Sequence, residues 1–190
     1  MFSRFGIVSG ACIVLSLLLS GCAPDRPAPS STPGTAVPSS EQSASPTPTT
    51  SDDAFTIACT DLVDDQTIYD WGSGNWALEP GFAFAVGSPA ADAIARSGTA
   101  CGWVNLTSGE TLTVSVAELT LDELEELSTS IASAGSPAPT YRVDAYFSSD
   151  GGTGTIDVFS GEYWLSASSS WFFEAGDAQP IVSVALEALN

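Results

Sequence analysis

Carboxylates dominate the side chains of this chain that can do chemistry. The 190 residues hold 23 Asp and Glu, four cations that are all arginine, and no histidine. Without His or Lys there is no Ser-His-Asp or Cys-His nucleophile, no Schiff-base lysine and no P-loop lysine for a phosphate. Two carboxyl groups suffice for glycoside hydrolysis when one has a raised pKa. Asp70 in Tyr69-Asp70-Trp71 and Glu162 in Glu162-Tyr163-Trp164 sit beside aromatic rings. In so acidic a chain such neighbours arise by chance, so no catalytic residue is assigned and a non-enzymatic domain is expected. The run Asp150-Gly151-Gly152-Thr153-Gly154-Thr155-Ile156-Asp157 lacks the alternating acids and closing glutamate of a calcium loop. It reads as a hairpin turn, and neither metal nor cofactor is expected.

Cysteine chemistry is more specific. Leu19-Ser20-Gly21-Cys22 follows Arg4 and an apolar run from Phe5 to Leu19, the three-part pattern of a secretory signal. The run is 15 residues long, short of the roughly 20 that a spanning helix needs. The tetrapeptide resembles the lipobox of bacterial lipoproteins. That resemblance implies cleavage before Cys22, a diacylglycerol on its thiol, and a protein held by lipid on the extracytoplasmic face of the cell membrane.

An exported chain meets an oxidising compartment. With Cys12 removed in the signal and Cys22 acylated, Cys59 and Cys101 remain and are expected to form a disulfide. Two thiols this far apart with no histidine make a poor zinc site, and they are not a Cys-x-x-Cys redox pair.

Five tryptophans remain to be placed. Trp103, two positions from Cys101, falls on the same face of a strand and should pack over the disulfide. Trp71 and Trp76 flank Gly72-Ser73-Gly74-Asn75, and Trp171 follows Ser168-Ser169-Ser170. These three are the candidate binding residues, able to form a stacking platform for a sugar or a partner protein, although core packing is the first expectation for large aromatics.

The segments that must position these groups divide the chain into three: residues 1–21 as signal peptide, 22–52 as lipid anchor and linker, and 53–190 as one domain. The linker is Pro, Ser, Thr, Ala and Gly with almost no large apolar side chain, and cannot bury enough surface to offset its ordering entropy. Its root-mean-square reach is roughly 30 Å as a flexible coil. The domain keeps 20 of the acidic residues against Arg96 and Arg142, a net charge of −18. That field repels nucleic acid and anionic lipid headgroups.

Within the domain, Asp64 to Trp71 reads as a short helix stopped by Gly72, and Ser88-Pro89 opens a second helix through Arg96. Ala100–Leu106 and Thr111–Ala117 form a hairpin, with Leu112, Val114 and Val116 on one face and Thr111, Thr113 and Ser115 on the other. Thr120-Leu121-Asp122-Glu123 is a capping box, opening a helix whose stripe is Leu121, Leu124, Leu127 and Ile131. Strands follow at Tyr141–Phe147, Thr153–Phe159 and Glu162–Ser168. Asp177 caps a last helix, with Ile181, Val184, Ala185 and Ala188 turned to the sheet. The expected fold is α+β, an antiparallel sheet of about five strands with packed helices and one disulfide.

This arrangement of Cys59-Thr60-Asp61-Leu62-Val63, Cys101-Gly102-Trp103, a helix, a β-meander and a final helix resembles the short actinobacterial lipoproteins of unknown function. The resemblance implies a PsbP-like domain outside the cytoplasmic membrane and carries no catalytic residues. The expectation is a membrane-anchored binding or accessory domain, with an envelope protein or a glycan as partner. The alternative is a glycan or lipid carrier, with a carboxylate-based glycoside hydrolase behind it.

Overall fold

The structure, a computed structural model, describes residues 55–190; the signal, Cys22 and the linker lie outside the described residues. The first half of the domain runs through α1 (Cys59–Leu62), α2 (Asp65–Gly72), β1 (Trp76–Leu78), α3 (Pro89–Ala95), β2 (Thr99–Asn105) and β3 (Thr111–Glu118). The second half adds α4 (Leu121–Ala134), β4 (Ser136–Pro137), β5 (Asp144–Asp150), β6 (Thr153–Ser160), β7 (Tyr163–Ser169) and α5 (Gln179–Ala188). The strands make one sheet in the order β1-β2-β3-β7-β6-β5-β4, antiparallel at every junction. The class is α+β, but the sheet has seven strands rather than about five. Edge strands β1 and β4 span three and two residues, too few for an alternating pattern to show.

Local chemistry sets most boundaries. Asp64 accepts a hydrogen bond from the Thr67 amide, and Ser88 accepts one from the Ala91 amide with Pro89 in the first turn. Thr120 and Glu123 bond each other's backbone reciprocally at the start of α4. Gly72 is inside α2, and the left-handed residue that stops the helix is Ser73, at φ 55°. β5 starts at Asp144 and not Tyr141, because Pro139–Tyr141 form a 3-10 turn and Arg142 takes φ 59°.

Two helix faces depart from expectation. Leu124, Leu127 and Ile131 pack inward from α4, whereas Leu121 is 81% exposed. At the first helical position its side chain leans back past the N-terminus, beyond the surface the stripe covers. Asp177 caps backward: its carboxylate accepts from the Phe173 and Glu174 amides. The 3-10 turn Ala175–Ala178 then leads directly into α5. With the start of α5 set by that turn, Ile181, Val182 and Ala185 are fully buried, while Val184 is only half-buried and Ala188 is exposed.

The main core lies on one face of the sheet. Cys101, Val114, Ala167, Ile156 and Phe147 align in register across five strands, and residues of α1, α2 and α5 close over them. Cys59 and Cys101 are joined as a disulfide with a Cα separation of 5.6 Å. Trp103 is buried in the same cluster as Cys101. Gly154 allows the closest approach on this face, since a Cβ there would fall 2.0 Å from the Phe172 carbonyl oxygen.

Candidate binding groove

The other face of the sheet is graded in three cross-strand rows. Ala117, Trp164 and Phe159 form the first, under Ala93 of α3 and Leu124, Leu127 and Ile131 of α4. The next row is Ser115, Ser166 and Asp157, all buried. The third takes one residue from each of five strands: Gly102, Thr113, Ser168, Thr155 and Ser148. Its four hydroxyl-bearing members are half-buried.

This third row floors a groove of about 600 Å³, with Thr111, Thr153 and Asp150 at its mouth and residues 82–89 as its wall. The wall depends on one residue. A Cβ at Gly102 would fall 2.2 Å from Cγ of Phe82, so only the bare backbone of β2 lets that ring lie on the sheet. Phe84 stands beside it at 5.0 Å between ring centroids. The strap is joined to the sheet just before it starts, at Glu79, whose amide donates to the Gly102 carbonyl, and it turns on itself where the Ser88 amide donates to the Ala85 carbonyl.

The floor is polar and largely unengaged. Thr155 and Ser168 share a hydrogen bond of 2.9 Å; among the described residues no hydrogen bond occupies the side chains of Thr111, Thr113, Ser148 or Thr153. Asp150 is the single ionisable group in the lining. Behind the row, Asp157 is 5% exposed and its Oδ1 accepts from the indole of Trp164 at 3.0 Å. Burial pushes its carboxyl up to about 6, against the lowering influence of Ser166 and Trp164. The Ser166 hydroxyl lies close enough to act on Asp157, yet outside hydrogen-bond geometry.

No family model, curated protein or solved structure matches this chain. The function must be read from the residues themselves.

The structure gathers Trp71, Trp76 and Trp171. Their ring centroids lie 5.0 to 5.5 Å apart, and Phe172 joins them at 5.8 Å from Trp71. The cluster caps the end of the main core, and Trp76 is only 8% exposed, so that ring has no free face for a ligand. The nitrogen of Trp71 donates to the Asp177 carbonyl, and that of Trp171 to Glu110. A shallow polar recess beside Trp171 includes Asn75, Asn105, Thr107, Ser108 and Glu110, but these groups satisfy one another. Asn75 donates to Thr107, Asn105 accepts from the amides of Thr107 and Ser108, and Glu110 accepts from Ser108 and Trp171. Those last two bonds hold the Glu110 carboxyl below its ordinary range. The turn is organised by Asn105, which is buried.

The aromatic-flanked carboxylates are not brought into the groove. Asp70 accepts from Gln66 on the surface of α2, and Glu162 lies exposed in the turn between β6 and β7. Asp150-Gly151-Gly152-Thr153 closes the β5–β6 hairpin, with both glycines at positive φ, as its turn chemistry predicts. Among the described residues no group of three or more His, Cys, Asp or Glu is placed to hold a metal ion.

The groove itself was not foreseen. Thr111, Thr113 and Ser115 were expected on one strand face, but no element was expected at Pro80-Gly81-Phe82-Ala83-Phe84-Ala85-Val86-Gly87. That stretch alternates large and small residues like a strand, yet pairs with none. Its signal was Gly102, a residue without a side chain in the middle of a strand, which marks a close approach by other atoms.

Proposed function

We infer that this chain is a membrane-anchored extracytoplasmic lipoprotein whose domain binds a ligand or partner in the groove of the second sheet face and performs no covalent chemistry there. The observation that carries the reading is the groove's lining: hydroxyls beneath a two-phenylalanine wall, with one rim carboxylate and no histidine, thiol, cation or second carboxylate to pair with it. A concave site of this size with apolar walls and a few placed polar groups is the usual form of a binding site. The anchor is supported by Leu19-Ser20-Gly21-Cys22 at the end of its apolar run, and family kinship with the short actinobacterial lipoproteins by the same motif and the Cys59/Cys101 domain.

The test uses the full chain in its own cells. A photo-crosslinking residue is placed at Ala85, exposed on the strap, or at Ser133, exposed on α4. The expected result is a discrete adduct from Ala85 that Ser133 does not give, and that is reduced when Cys22→Ala removes the anchor. Equal, nonspecific adducts from both positions would contradict the groove as the working surface. Acyl labelling of the wild type but not of Cys22→Ala checks the anchor separately.

A further inference from the structure

We propose that the groove takes a stretch of uncharged polysaccharide, laid along the hydroxyl row Thr113, Ser168, Thr155 and Ser148 with its sugar faces against Phe82 and Phe84. This rests on the reading of the groove as the binding site and adds the chemical class of what it holds.

Register is the first argument. The four hydroxyl residues come from four adjacent strands, β3, β7, β6 and β5, and are direct partners at each junction. They recur at the strand spacing, about 4.8 Å, over about 14 Å. The row ends at Gly102, where Phe82 lies on the bare backbone. A line of alcohols at an interval close to the length of one pyranose ring, with aromatic carbon along its side, matches a chain in which every unit carries an apolar C–H face and a hydroxyl rim.

Elimination is the second. An anionic ligand would find no cation in the lining and would enter a domain of net charge −18; both oppose it. A cationic ligand would find only Asp150, which is exposed at the mouth. An acyl chain would cover free hydroxyls without replacing the water they lose, an uncompensated desolvation. A peptide that adds a β-strand docks through its main chain at a sheet edge, whereas this floor is a sheet face. An uncharged polyol answers both halves of the lining.

The polar groups near the tryptophans supply the contrast. Around Trp171 the amides, hydroxyls and carboxylate are bonded to one another, whereas in the groove Thr111, Thr113, Ser148 and Thr153 are free. With the Thr155–Ser168 pair as the one internal side-chain bond in its row, the groove is the site better able to exchange water for sugar hydroxyls.

The experiment measures binding to the full lipidated chain in phosphatidylcholine nanodiscs. The probes are neutral hexasaccharides of β-1,4-glucan, α-1,4-glucan and β-1,4-mannan, an acidic oligogalacturonate, and a fluorescent fatty acid. The expected result is binding of at least one neutral chain, insensitive to salt. It should weaken by about tenfold or more in Phe84→Ala and in Thr113→Val combined with Ser168→Ala, and be unchanged in Trp171→Ala. Thermal melting of each variant separates lost binding from lost folding, and the two groove variants fail independently if only one disturbs the strap. Silence from every neutral chain, tighter binding of the acid or the acyl probe, or neutral binding indifferent to both groove variants would overturn the proposal. An adduct of protein or lipid at the Ala85 photoprobe, with the neutral chains silent, overturns the ligand class and leaves the groove as a binding site. Silence in both overturns the two together.

Discussion

The indole nitrogen of Trp164 donates to Oδ1 of Asp157 at 3.0 Å, and both side chains are almost fully withdrawn from water. The pair marks the border on the second sheet face between the apolar row under α3 and α4 and the hydroxyl row that floors the groove. A buried carboxyl there titrates at about 6, against 3.8 when solvated. Below about pH 4 folded and unfolded chains both hold the proton. As pH rises further the unfolded chain ionises first, so this group's contribution to stability falls, and above about 6 the loss is complete. Asp157→Asn keeps an acceptor for Trp164 and cannot ionise. Relative to wild type it should gain on the order of 2–3 kcal/mol between about pH 4 and pH 8. Thermal melts of both proteins at the two pH values check this; a difference that does not change with pH contradicts it.

The Cys59–Cys101 bridge ties α1 to β2 across a sequence separation of 42. In the chain-entropy model, closing such a loop stabilises the fold by roughly 4 kcal/mol. Urea unfolding with and without reductant should show a loss of that order, reproduced by Cys59→Ser with Cys101→Ser. Coincident midpoints would mean that the unfolded chain is already compact in this region.

Gly102 and Gly154 are pressed by different neighbours and should differ when given a methyl group. At Gly154 the new Cβ would meet the Phe172 carbonyl, which is backbone; at Gly102 it would meet the Phe82 ring. Gly154→Ala should cost at least about 1–3 kcal/mol, as overpacking does. Gly102→Ala should cost less in global stability and instead speed hydrogen exchange over residues 82–87, because the strap is free to lift. Equal destabilisation with an unchanged strap would contradict the seating of Phe82.

Thr120 supplies one half of the α4 capping box and Glu123 the other. Thr120→Ala should cost about 1 kcal/mol, read as a shift in the urea midpoint with unchanged slope. Glu123 also lies 3.6 Å from Arg96, but that exposed contact adds little, so Arg96→Ala should leave the midpoint nearly where it was.

What the sequence disclosed follows the range of the interactions concerned. The capping box at Thr120, the cap at Ser88 and the Asp150-Gly151-Gly152-Thr153 hairpin are made within a few residues, and each could be read from spacing alone; Asp64 was read as the first residue of its helix and is its cap. The disulfide followed from counting cysteines. Edge strands β1 and β4 were hidden because a two- or three-residue strand owes its existence to its neighbour. Val184 and Ala188 were misplaced, and Val182 was passed over, because the 3-10 turn before α5, held by Asp177 on the amides behind it, fixes the phase of the helix. The groove was hidden for a similar reason. Thr113, Ser168, Thr155 and Ser148 are scattered along the chain and meet only through strand register, and Phe82 reaches them because Gly102, twenty positions on, lacks a side chain.

Hydrogen exchange of the full chain in membranes from its own cells, compared with the purified protein, tests most directly which face the domain uses. Protection should appear on binding over the strap at residues 82–87 and over the hydroxyl-bearing parts of β3, β5, β6 and β7, with α4 unchanged. Protection confined to the turn at residues 105–110 and to the segment around Trp171, or no difference anywhere, would contradict the groove as the binding site.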